Sequence, residues 1–149
     1  MNENKRSRLV VYFLGALQVF IGLTAIAGGF GLVSDPSGTK MNIPLEWLSN
    51  SPFTNYFVPG LVLLIFNGVC SFLAGILTFL RNRYAGNLAV ALGTFLVLFI
   101  VIEVWFVGLR TLLQPLYFIL GLIELMFGLK LRKLVLAVHS FPQEAATKI

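Results

Sequence analysis

The chain has one cysteine, Cys70, and one histidine, His139, in 149 residues. A single cysteine excludes an internal disulfide and a multi-cysteine metal site, and a single histidine excludes a histidine pair. Cys70 stands in an apolar stretch, where it reads as a small buried apolar residue. Charge is scarce too: charged residues make up 11% of the sequence against 58% hydrophobic, so a membrane is the expected solvent. Acids number six against eleven lysines and arginines, a net charge of +5. These basic residues flank apolar segments and form no polar domain of their own, so they read as topology signals and not as a nucleic-acid surface. The sequence contains neither a G-x-S-x-G elbow nor a phosphate-binding glycine loop. Neither an enzyme nor a cofactor is expected.

What the sequence has in abundance is long apolar runs. Crossing about 30 Å of hydrocarbon takes about 20 helical residues, and residues 9–33, 60–80, 88–109 and 112–131 each provide such a stretch. The fold class predicted is all-α, a single membrane domain built as a bundle of four transmembrane helices. The first run could also be read as a signal peptide, because Lys5, Arg6 and Arg8 precede it and Ala25 and Ala27 form an A-x-A site. Its apolar stretch is too long for a signal core of roughly 7 to 15 residues, so a retained helix is expected.

The basic residues orient these spans. Lys5, Arg6 and Arg8 precede the first; Arg81 and Arg83 follow the second; Lys130, Arg132, Lys133 and Lys148 follow the fourth. Lys40 and Arg110 alone fall on the other side, which places both termini and the 132–149 tail in the cytoplasm. Residues 34–59 then form an outer loop. Asp35-Pro36-Ser37-Gly38 suits a type I turn, Pro44 to Leu48 a short helical turn with Trp47 at headgroup level, and Ser51-Pro52 the cap and first position of another turn. The loop is expected to be an ordered cap on the bundle. The basic stretch after the fourth span is expected to continue that helix along the inner interface, against anionic lipid.

Helices in lipid associate where small residues allow close approach. Gly15, Gly22 and Gly29 recur every seven residues in the first run. Asn67, Ser71 and Gly75 recur every four in the second, and Gly86, Ala89 and Gly93 share a face of the third. In the fourth, Gln114, Tyr117, Gly121, Glu124 and Gly128 alternate steps of three and four, so one face holds them all. Glu124 therefore points at another helix. At about 1.5 Å per residue it lies roughly 20 Å from Thr111, and Gln18 about 14 Å from the inner side. These depths bring Glu124 and Gln18 to one inner layer, while Glu103, Asn67 and Gln114 make an outer one. Glu103 is expected to pair with Arg110, seven residues on, both snorkelling outward. Glu124 is expected to be buried, neutral, and within reach of Gln18 or Tyr117. It is either a structural tie or a protonatable site, since acids inside membranes are costly unless neutral, paired or wet.

The segments DPSG, SPF, VPG and PLYFILGLIEL, between about residues 28 and 130, resemble small uncharacterised four-helix integral membrane proteins of bacteria. The layout is also similar to that of DoxX-type proteins, without the cysteines of a thiol redox member. The resemblance implies a helical bundle in the inner membrane and no particular activity. Three functions follow as expectations. The first is a non-enzymatic interaction or accessory subunit, associating with itself or with a partner membrane protein. The second is a small proton-coupled carrier using Glu124 and Glu103. The third is a lipid- or quinone-binding membrane protein.

Overall fold

A computed structural model describes residues 3–146, with side-chain surroundings over 5–136. Four long helices run through it: α1 (Glu3–Ser34), α2 (Phe57–Phe79), α3 (Ala85–Val107) and α4 (Leu113–Ala146). The first three are long and apolar enough to cross a membrane. α4 continues past residue 131 to Ala146, so much of the expected tail is helix. Residues 147–149, with Lys148, and the side chain of His139 lie outside what is described.

The connections explain why the helices stop where they do. α2 ends in a Schellman turn: Asn82 N–H reaches Leu77 O at 3.0 Å and Arg81 N–H reaches Thr78 O at 3.0 Å. This puts Arg81 at φ 54, a left-handed position usually given to glycine. Asn82 then opens the turn that leads into α3, its Oδ1 accepting from Tyr84 N–H at 2.9 Å and its carbonyl from Ala85 N–H at 3.0 Å. α3 stops at Gly108, whose φ of 79 takes the chain out of the helix.

Four antiparallel helices make two hairpins, α1 with α2 and α3 with α4. The glycine faces close both. A Cβ on Gly22 would lie 2.6 Å from Phe72 N, and one on Gly29 2.6 Å from Leu64 N. Gly93 meets Leu125 N at 2.7 Å and Gly128 meets Val90 N at 2.8 Å in the same sense. The small-residue stripes are therefore occupied inside the chain. Between the hairpins, Val10, Val11, Leu14, Ala85, Ala89 and Leu131 form an inner core, and Ile21, Leu96 and Ile100 a central one. Large apolar side chains elsewhere face outward, Trp105 and Leu112 at 83% and 88% exposure. Such surfaces suit lipid better than water.

In the middle of α2, residues Leu63–Cys70 form a π-helix, a wider coil with i→i+5 spacing. The periodicity of the sequence predicts ordinary α-helix there. The wide turns bury Asn67 and Gly68, with Gly68 seated on Ile26.

The 35–56 segment folds as a cap. Gly38 N–H donates to Asp35 O at 3.0 Å to close the expected turn, and a 3-10 turn covers Leu45–Leu48. The Asp35 carboxylate accepts from the Ser37 hydroxyl and from Lys40 N–H, bonds that hold it below its ordinary pKa. The second expected helical turn does not form at Ser51-Pro52. Ser51 Oγ instead donates back to Leu48 O at 2.9 Å and accepts from Phe53 N–H, so it closes the preceding turn, and helix resumes at Phe57.

Candidate functional site

Among the described residues, two polar clusters and a cavity stand out within the bundle. In the inner cluster, Gln18 Nε2 donates to Glu124 Oε1 at 3.1 Å, and Thr78 Oγ1 donates to Gln18 Oε1 at 2.7 Å or to Ala74 O at 2.9 Å. Three helices are tied at one level. Gln18, Thr78 and Glu124 have no exposure, and Glu124 Oε2 has no partner. Thr78 is the member that the sequence pattern missed. Its position, three residues after Gly75 on the packed face of α2, is the signal that could have found it.

The outer cluster differs from expectation. Glu103 Oε1 accepts from Gln114 Nε2 at 3.2 Å, and Arg110 turns away. The Arg110 guanidinium lies 5.9 Å over the Trp47 ring, and its Nε donates to Val107 O. Gln114 is the organiser. Its Oε1 accepts from the N–H groups of Arg110 and Thr111 at the start of α4, at 2.8 and 3.3 Å, and its Nε2 also reaches Gly108 O. A side chain near a helix start folding back onto preceding amides is the logic of a capping box. Asn67 is 1% exposed and its Nδ2 has no partner, so it joins neither cluster by a hydrogen bond. Tyr117 is not bonded to Glu124 but lines the cavity above it.

That cavity has a volume of about 590 Å³ and occupies the end of the bundle beneath the cap. Thr24, Ala25 and Gly28 of α1, Val62 and Leu63 of α2, and Phe95, Phe99 and Glu103 of α3 are among its walls. Trp47, Leu48 and Tyr56 roof it. Exposed Val58, Leu98 and Ile102 belong to its lining, which puts its rim between α2 and α3 on the lipid-facing side. Tyr56 Oη donates to Pro44 O at 2.7 Å and pins the roof. Burial, and then the charge of Glu103 beneath, push the Tyr56 phenol above its ordinary pKa. Glu124 is not among its lining residues, whereas Leu96, Ile100 and Tyr117 are, and these pack with Ile21 and Phe118 in the central core.

Among the described residues no group of three metal-ligating side chains occurs. The arrangement can hold an apolar molecule and offer it the Glu103 carboxyl, with Arg110 also in the lining. Neither the cavity nor the Glu103–Gln114 bond follows from hydropathy, although Phe99 and Phe106, at i−4 and i+3 from Glu103, already give that acid an aromatic face in the sequence. The chain matches none of the protein-family models, curated proteins or solved structures with which it was compared.

Proposed function

We propose that this chain is a non-enzymatic integral membrane protein that holds a lipid-derived amphiphile in the cavity beneath its cap. The observation that carries this reading is the cavity itself: about 590 Å³, mainly apolar in lining, and rimmed by the exposed apolar residues Val58, Leu98 and Ile102. Ligand sites have this size and character, and a rim facing acyl chains admits a ligand from the bilayer. Two other functions are less well supported. An accessory subunit rests on small-residue faces, an ordered cap and the lack of a catalytic motif, and those faces are occupied within the chain. A carrier acting through Glu124 needs a path past Ile21, Leu96 and Ile100.

In this reading α4 is a fourth span, with Lys130, Arg132 and Lys133 at the inner interface, and both termini are cytoplasmic in a bacterial inner membrane. Labelling in a Cys70→Ala background tests the orientation. Lys40→Cys should react with an impermeant thiol reagent from outside and Asn82→Cys only from inside, and the reverse pattern would refute it.

Gly28→Phe tests the binding site. A Cβ at Gly28 meets only Leu63 Cδ2, at 3.6 Å, so a ring there can enter the cavity without displacing backbone. Native mass spectrometry of the detergent-solubilised chain should show one saturable adduct of a neutral monoacylglycerol. The variant should bind it at least about tenfold more weakly, a loss of about 1.4 kcal/mol. No saturable adduct, or equal binding by both chains, would rule the cavity out as the site.

A further inference from the structure

The walls around Glu103 narrow the ligand chemistry. The carboxyl lines the cavity, and the protein supplies one hydrogen bond to it, from Gln114 Nε2 to Oε1. Gln114 itself is saturated: its amide also donates to Gly108 O, and its carbonyl accepts two backbone N–H groups. It cannot turn to serve the second oxygen without losing the start of α4. Oε2 thus keeps its acceptor capacity for something that enters the cavity. A ligand made of hydrocarbon alone would leave that oxygen buried and unmatched, which is unfavourable.

Aromatic residues share the cavity wall with Glu103. Phe99 and Phe106 lie one turn to either side of Glu103 on α3, and both line the cavity, as does Tyr117 of α4. A carboxylate among ring faces recognises an ammonium-type cation better than a hydroxyl, because the rings attract positive charge and also contact the carbons around it. The nearby positive charge is engaged by other partners. Arg110, past the end of α3, also lines the cavity, with its guanidinium over the Trp47 ring and its Nε bonded to Val107 O.

From this geometry we infer that the cavity selects lipophilic cations, with Glu103 as the counter-charge and Phe99, Phe106 and Tyr117 as the walls that contact the cationic end. The inference rests on the ligand-binding reading above and names its ligand class. Gln114 is a positioning residue here: it holds one oxygen of the carboxyl and leaves the other to a ligand.

Tetraphenylphosphonium and tetraphenylborate, of one shape and opposite charge, test it by equilibrium dialysis against the detergent-solubilised full chain. The phosphonium should bind at least about tenfold more tightly than the borate. Glu103→Gln keeps an acceptor for Gln114 and removes the charge. It should lower the preference for phosphonium over borate at least about tenfold. Gly28→Phe should lose both ligands. If the two ions bind equally, if the borate binds better, or if Glu103→Gln retains the preference, the cation inference is overturned, and a persisting monoacylglycerol adduct would leave the cavity reading standing. If no probe binds, both fail.

Discussion

Gly22→Val is expected to destabilise the α1–α2 hairpin by about 3 kcal/mol or more, the upper end of what overpacking a well-packed interior costs. An added Cβ would sit 2.6 Å from Phe72 N and 2.8 Å from Phe72 Cα, and backbone atoms cannot rotate away as the end of a side chain can. The whole hairpin would have to separate, and with it the dispersion contacts that hold helices together in lipid. Gly22→Ala should already be destabilising, although alanine gains up to about 1 kcal/mol of helix propensity over glycine. Gly28→Ala, six residues further along α1, is the matched control. Its Cβ meets one methyl at 3.6 Å, so the propensity gain should survive and stability should be unchanged or slightly raised. Thermal unfolding in mild detergent, followed by helical circular dichroism, separates the cases. Equal behaviour of Gly22→Ala and Gly28→Ala would mean that close backbone approach does not govern this interface.

That contrast also shows which features are legible in a sequence. The seven-residue recurrence of Gly15, Gly22 and Gly29 identifies the packed face of α1, since a spacing of seven returns a helix to nearly the same face. It cannot say that Gly28, next to Gly29, looks into a cavity. The Gln18–Glu124 pair was readable because depth follows from helical rise, and both residues are uninterrupted helix from their ends. A seven-residue spacing matched Glu103 with Arg110 and failed, because Arg110 lies beyond Gly108, where the chain leaves the helix and helical spacing no longer applies. The turn that follows brings Gln114 back over Glu103 instead. Ser51-Pro52 was misread for a related reason. A serine before proline can cap a helix ahead of it or close a turn behind it, and the preceding 3-10 turn offers Leu48 O to the hydroxyl. The π-helical widening and the cavity belong to the assembled hairpins and leave no periodic trace in the sequence.

The inner cluster yields the second large effect. Gln18→Leu should cost about 3 kcal/mol, because it removes the one protein donor to Glu124 in a site with no exposure. Oε2 already has no partner, so the variant would leave both oxygens of a buried acid unmatched. Thr78 is less affected, since its hydroxyl can still donate to Ala74 O. Glu124→Gln keeps an acceptor for Gln18 Nε2 and should cost under about 1 kcal/mol, whereas Glu124→Leu strands the Gln18 amide and should cost about 1 to 3 kcal/mol. The double variant Gln18→Leu, Glu124→Leu discriminates best. It removes donor and acceptor together and fills the site with side chains of similar size, so it should be less destabilised than the sum of its parts, by at least about 1 kcal/mol of coupling. Strict additivity would mean that the 3.1 Å contact contributes nothing to holding α1 on α4. If the coupling appears and the double variant still binds the amphiphile beneath the cap, Glu124 is a structural tie, and the ligand site lies wholly above the Ile21–Leu96–Ile100 layer.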